Sequence, residues 1–246
     1  MPSKSKSKSA LESTTTAPPS AKPDWPLLRP ALPPDQLHLT SLLPQQILTT
    51  PLLSSSLAKE YRLFLSTLPL ICTPTKPKKG EAARFNDRFQ VTDAAFAEHL
   101  WTSTGLASLV LSGDVDGAPL SEAERKALWG GEVLGLSPNI RIYRYAKGQF
   151  FAPHYDDSVV LDEGRRTTWT LLVYLSGPAT GCVGGETVFY PDAPRKGVAP
   201  EPPVVAELAV GLALLHRHGN ECMLHEGRPV TEGEKWVIRS DLVVRR

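Results

Sequence analysis

The chain has 246 residues, 41% of them hydrophobic and 22% charged, and its formal net charge is +1 at pH 7. It is long enough to bury a substantial core as one or two domains, and its charge balance shows no sign of a nucleic-acid or membrane partner. Three widely spaced cysteines, Cys72, Cys182 and Cys222, form no zinc-type pair and read as reduced thiols. No run reaches the roughly 18 apolar residues of a membrane helix. The start, MPSKSKSKSAL, is basic with no apolar stretch behind it, unlike a secretory leader, so the expected location is cytoplasmic or nuclear.

Three regions follow in chain order. Residues 1–24 are rich in Lys, Ser, Thr, Ala and Pro and bury too little apolar surface to order themselves, which predicts a disordered tail. Residues 25–135 read as an extended and helical support region. Within it, 37–53 is apolar but interrupted by Pro44 and Pro51, which predicts an extended segment on the domain surface. A helix fits 54–67, with Leu57, Tyr61, Phe64, Leu65 and Leu68 at helical spacing. Residues 73–80 read as a loop. A second helix starts near Asp93 and turns Phe96, Leu100 and Trp101 inward. A third starts at Ser121, where Ser121 and Glu124 form a capping box.

The character changes after Pro138. Short β-branched or alternating runs separated by Gly, Pro and Asp predict strands over 140–145, 151–155, 168–175, 187–190, 204–208, 212–216 and 235–244. Strands preceded by helices give the expected fold class. It is α+β but mainly β, with a double-stranded β-helix (jelly-roll) core over 136–246 backed by N-terminal helices.

The segment YAKGQFFAPHYDD (145–157) places His154 and Asp156 two apart, so a strand end would deliver an imidazole and a carboxylate to one face. A third ligand from a distant strand would complete a two-histidine, one-carboxylate face, the arrangement of non-haem iron oxygenases. By itself His-x-Asp is weak, since such a pair is often only a hydrogen bond. His216, His218 and His225 compete for the third place. His225 is favoured, because it opens a segment with Gly, Pro-Val, a second Gly, a cation and an aromatic. His216 and His218 read as strand-end residues or outer groups of the site. Lys235, ten residues past His225, and Arg239, four further on, would share a strand face and could anchor a dicarboxylate.

NIRIYRYAKGQFFAPHYDDS (139–158), TTWTLLVYLS (167–176), GGETVFY (184–190), GLALLHRH (211–218) and LHEGRPVTEGEKWVIRSDLV (224–243) together resemble the prolyl 4-hydroxylase-like branch of the iron(II)/2-oxoglutarate oxygenases. The resemblance implies His154, Asp156 and His225 as iron ligands and Lys235 as partner of the distal 2-oxoglutarate carboxylate, with Arg239 in that role if the register slips. It also implies that Tyr145 hydrogen-bonds the same carboxylate and that Thr187, and more weakly Thr170, line the cavity. Implied cofactors are Fe2+, 2-oxoglutarate, O2 and ascorbate. The implied reaction hydroxylates an unactivated C–H bond, by default on a prolyl residue of a protein or peptide. A free amino acid or small metabolite is the alternative substrate, and a silent metal-binding jelly-roll interaction module is the alternative of another class. Asp157 should point away from the metal, and Cys182 reads as a plain thiol. RFNDRFQ (84–90), softly similar to a loop of some relatives, and SVVLDEGRRTT (158–168) are expected to be loops flanking the barrel mouth.

Overall fold

The structure is a computed structural model that describes residues 22–73, 77, 82–162, 164–191 and 201–246. Most of the expected tail over 1–24 and of the expected loop over 73–80 lies outside the described residues. Eleven strands build the two sheets that carry the site. They are β1 (Ile47–Pro51), β2 (Arg84–Phe85), β3 (Asp87–Thr92), β4 (Asn139–Tyr145), β5 (Phe150–His154), β6 (Arg165–Tyr174), β7 (Thr187–Tyr190), β8 (Val204–Ala206), β9 (Leu212–Arg217), β10 (Leu224–Gly227) and β11 (Lys235–Arg245). The larger sheet runs β1-β9-β6-β11-β4-β3, with short strands added at its margins, and the smaller runs β8-β7-β10-β5-β2. All pairings are antiparallel, and the two sheets make a jelly-roll.

Alternation along the central strands divides the core in two. On β6, Trp169, Leu171 and Val173 face one side, together with Ile140 and Ile142 of β4 and Trp236 and Ile238 of β11. Tyr174, Tyr143, Tyr145 and Val237 face the space between the sheets. Because β11 is covered on both sides, ten of its eleven residues are buried. The outer face is closed by α1 (Ser55–Leu65), α2 (Ala94–Ser103), α3 (Leu106–Ser112) and α4 (Glu122–Trp129). Leu57, Tyr61, Phe96, Leu100, Val110 and Trp129 from these helices join the sheet residues in one cluster. Each such fully buried large side chain contributes about 1.5–3 kcal/mol. Trp129 and Trp169 meet edge to face at 5.1 Å, and their indole N–H groups donate to the Val110 and Leu128 carbonyls.

The helix starts follow their caps. Ser54 accepts from the Leu57 amide, Asp93 from Phe96, and Ser121 and Glu124 form the reciprocal box. The sequence did not reveal α3. It is only seven residues long, and Gly105, at φ +82°, offers no side-chain cap.

Three expectations are corrected. The segment 37–53 is extended but does not lie on the surface. Residues 47–50 of β1 are buried and pair with β9 inside the larger sheet, while Pro44 falls in the preceding turn and Pro51 at the strand end, where a missing N–H costs nothing. RFNDRFQ is not a loop. Phe85 pairs with Phe150 in the smaller sheet and 87–90 pair with β4 in the larger, so the segment steps from one sheet to the other. Asn86, fully buried at the step, accepts the Thr73 hydroxyl through its backbone carbonyl. The stretch 158–168 is not a loop either. Val160–Asp162 folds back on β6 as a hairpin, turning through Gly164 at φ +83°.

Gly211 locks β1 to the barrel. Its φ is +82°, its carbonyl accepts from the Leu52 and Leu53 amides, and a Cβ there would stand 1.9 Å from the Leu53 carbonyl oxygen. Gly211→Ala should therefore lower stability by about 2 kcal/mol or more and the Tm by at least about 4 °C. Urea and thermal unfolding measure it, and an unchanged Tm would show that the turn is not constrained as described.

Candidate metal and cosubstrate site

The barrel interior should be apolar, yet Asp156, Thr170, His216, His225, Lys235 and Arg239 are all buried there. A bulge starts the site. Between Phe151 and His154 the pairing of β5 with β10 shifts by one residue, so that Phe151 stands opposite Gly227 and His154 opposite His225. Pro153 lies in this irregular step, where a residue without an N–H is tolerated. The shift sets the two imidazoles side by side, with ring centroids 4.2 Å apart. Asp156 follows just past the strand end.

The three side chains converge. One ligand atom from each of His154, Asp156 and His225 lies within 4.8 Å of the others. His154 Nε2 is 3.7 Å from Asp156 Oδ1 and His225 Nε2 is 3.8 Å from Asp156 Oδ2. Each histidine has its Nδ1 2.9 Å from a backbone carbonyl, that of Ala152 or of Met223. Donating Nδ1–H there leaves Nε2 as a lone pair aimed at the centre, the second-sphere arrangement that fixes a metal-binding tautomer. Burial, with the neighbouring His225 second, pushes His154 down to about 4, and burial likewise lowers His225. Both imidazoles are therefore neutral at pH 7. Burial would push the Asp156 carboxyl up, but the Arg239 guanidinium holds it well below the usual carboxylate range. Two neutral imidazoles and an ionised carboxylate are a donor set that suits iron(II) with positions left open.

Arg239 clamps that carboxylate. Its two terminal nitrogens reach Asp156 at 3.1 and 2.8 Å, and Thr170 donates to Oδ2 at 2.9 Å. Burial would lower the guanidinium, but Asp156 and Asp241 outweigh it and raise the pKa. Arg239 is thus engaged, whereas Lys235 is not. Its Nζ donates to the Gly185 carbonyl at 2.6 Å and lies 5.4 Å from the rings of Tyr145 and Tyr174. No carboxylate among the described residues comes within 4.0 Å of it. Burial, only partly offset by Cys182 and Glu186, pulls its pKa down to about 8.

Gly227 connects Lys235 to the triad. It lies two residues after His225 on β10, about 7 Å along the strand on the same face, and a Cβ there would stand 3.9 Å from Lys235 Nζ. The missing side chain leaves room between the histidines and the cation. Tyr145 is paired with Lys235 across β4 and β11, and Thr187 shares a 2.7 Å hydroxyl contact with Tyr174. All of the site residues expected from the sequence thus face the same space, with Arg239 at the Asp156 end and Lys235, Tyr145 and Thr187 near Gly227. Asp157 is exposed.

His216 was underrated by the sequence. It is fully inside, with Nε2 3.8 Å from Asp156 Oδ2, and strand parity with Leu212 and Leu214 would have shown it. His218 instead bridges Thr170 and Thr167 at 3.0 and 2.9 Å. Gly227 and Cys222, whose sulfur accepts from the Asp156 amide at 3.2 Å, carried no signal in the sequence.

The fold is a jelly-roll barrel, and His154, Asp156 and His225 form a two-histidine, one-carboxylate face inside it. Residues 140–240 match the family described as the 2OG-Fe(II) oxygenase superfamily, about two fifths of the chain. Among related proteins, prolyl 4-hydroxylase 2 of Arabidopsis thaliana is 33% identical over 119 residues, 40% of this chain and 38% of that protein. Probable prolyl 4-hydroxylase 4 of the same plant is 34% identical over 119 residues, 40% of this chain and 39% of that protein. The matches therefore span well under half of those relatives. A Trichoplax adhaerens prolyl hydroxylase, solved with a hypoxia inducible factor peptide fragment, has the same fold. It superposes with a TM-score of 0.51 at 15% identity over 81% of this chain and 84% of that one.

The state of Lys235 has a measurable consequence. Its folded pKa lies below its unfolded value of 10.5, so between pH 8 and 10.5 the unfolded chain binds more protons, and stability rises with pH through that window. Below pH 8 the buried charge costs on the order of 3 kcal/mol. Lys235→Met should be more stable than the parent at pH 7, and the gap should narrow from pH 8 and close as the pH passes 10.5. Paired urea titrations test this, and a pH-independent gap would mean that Lys235 is not a desolvated cation.

Proposed function

We propose that the protein is an iron(II)- and 2-oxoglutarate-dependent dioxygenase that hydroxylates an unactivated C–H bond. In this reading His154, Asp156 and His225 hold the metal, and Lys235 binds the distal carboxylate of 2-oxoglutarate. The observation that carries it is Lys235, a buried cation without a counter-ion among the described residues, reached from the triad across Gly227. A buried charge of this kind requires an anion, and the gap fits a five-carbon dicarboxylate whose other end meets the triad.

The iron, when bound, supplies oxygen activation coupled to decarboxylation of 2-oxoglutarate to succinate. The chain's own residues position and insulate. Arg239 and Thr170 hold the Asp156 carboxylate so that an oxygen faces the two Nε2 atoms. The Ala152 and Met223 carbonyls keep those nitrogens unprotonated. Tyr145 donates its phenol beside Lys235; burial pushes that group's pKa well up, so it stays a donor at neutral pH. Thr187 closes the same end. The substrate class we propose is a prolyl residue in a protein or peptide, supported by the prolyl 4-hydroxylase relatives. Ascorbate as reductant rests on the resemblance alone.

The test is succinate formation by purified protein given iron(II) and 2-oxoglutarate, with proline-containing peptides and free amino acids compared by product mass. His154→Ala and Asp156→Ala should abolish turnover. Lys235→Ala should raise the 2-oxoglutarate KM by roughly 30-fold or more, since losing a buried charge-assisted contact costs about 2–5 kcal/mol, while iron affinity stays unchanged. Arg239→Ala should weaken iron binding instead. An unchanged KM in Lys235→Ala beside a large rise in Arg239→Ala would move the anchor to Arg239. No succinate under any condition would favour a silent metal-binding module.

A further inference from the structure

His216 is fully buried and has no role in the site described above. Its Nδ1 lies 3.1 Å from the Arg217 carbonyl, which assigns the ring proton to that nitrogen and leaves Nε2 as a bare acceptor. That Nε2 has no hydrogen-bond partner among the described residues. The nearest Asp156 oxygen is 3.8 Å away, beyond hydrogen-bond reach, and is itself an acceptor. A buried acceptor left unpaired costs about 1–3 kcal/mol, and a cation would satisfy it. Cys222 stands beside it. One ligand atom from each of His216, Cys222 and His225 lies within 4.8 Å of the others.

We propose that His216, Cys222 and His225 form a second metal site, overlapping the first through His225, that takes a thiophilic cation such as zinc(II) or copper(I) and thereby excludes iron(II). The two sets differ in the character of their donors. His154, Asp156 and His225 offer two nitrogens and a carboxylate oxygen. His216, Cys222 and His225 offer two nitrogens and a sulfur, the softer set that selects zinc and copper(I). Both sets draw on His225, whose neutral ring offers one lone pair, so the chain holds a metal in one way or the other. Binding replaces the thiol proton, now directed at the Met223 carbonyl at 3.4 Å, and releases it to solvent, because a coordinated thiol is deprotonated by the cation's charge. Cys222 can offer its sulfur without unwinding a regular element. It lies in extended backbone between the 3-10 turn Gly219–Glu221 and β10, and is only partly buried.

Cadmium(II) is the probe, because its thiolate complexes absorb in the ultraviolet by sulfur-to-metal charge transfer. The metal-stripped full chain carrying His154→Ala and Asp156→Asn, which keeps an acceptor for Arg239, loses two of the first site's three donors, so any band there is independent of iron chemistry and of whether the protein is an oxygenase. Expected is one equivalent of cadmium with a thiolate band. Adding Cys222→Ser or His216→Phe should weaken cadmium binding at least about tenfold, and Cys222→Ser should also remove the band. Cys72→Ser and Cys182→Ser should leave both intact. In the unsubstituted chain, equilibrium metal analysis should show cadmium and iron(II) binding in competition, with Cys222→Ser shifting the balance toward iron(II). Circular dichroism checks the fold of each variant, and Cys222→Ala serves if the serine form fails that check. A band that survives removal of Cys222, no band in the chain lacking His154 and Asp156, or both metals bound together would each overturn the proposal.

Discussion

The contact on which the interior depends is the one between Asp156 and Arg239. A carboxylate removed from water costs several kcal/mol, and here it sits among imidazoles that burial keeps neutral. Only Arg239 brings a full positive charge, at 2.8 and 3.1 Å through two nitrogens, with Thr170 completing the shell of donors. That arrangement fixes the carboxylate plane. It also ties the end of β5 to β11 and β6, the central strands of the opposite sheet, so the mouth of the smaller sheet is pinned by charge where hydrophobic packing runs out. Asp241 and Arg141 extend the same network toward β4.

The guanidinium and the ammonium on β11 therefore have different tasks, although both point inward from one strand. Arg239 is satisfied by the protein's own carboxylates, whereas Lys235 has only a carbonyl and two aromatic faces. A buried charge that faces no carboxylate lowers stability, and among the described residues Lys235 faces none within 4.0 Å. Glycine makes this possible. Gly227 leaves open the volume beside Lys235, and Gly185, at φ +78°, brings its carbonyl onto the ammonium.

Much of this was legible in the sequence, for physical reasons that differ between residues. After Pro138 short alternating or β-branched runs mark the strands, and all seven that the pattern placed appear within a few residues of the expected bounds. His154 and Asp156 could be paired because they are two residues apart. Less visible was what depends on another strand's register. The Phe151–His154 bulge, which sets His154 against His225, is a property of two strands together. The status of Arg239 depends on Asp156, 83 positions away. RFNDRFQ reads as a loop from its likeness to a loop of some relatives, yet Asn86 is buried as the corner between sheets and its neighbours complete both.

A barrel with so many polar groups inside must find its stability elsewhere, and β6 shows how. Trp169, Leu171 and Val173 point outward into the apolar layer under the helices, while Thr170 and Tyr174 point inward to Asp156 and Thr187. One strand thus serves two cores with opposite chemistry, separated by the thickness of a backbone. The outward residues anchor the strand in the apolar layer and so fix where the inward hydroxyls stand. A substitution at Leu171 should act on folding and one at Thr170 on the metal site, although the two residues are adjacent. The N-terminal helices are in this sense part of the site's machinery, because without the layer they bury, the charges on β11 would have no rigid frame to be held in.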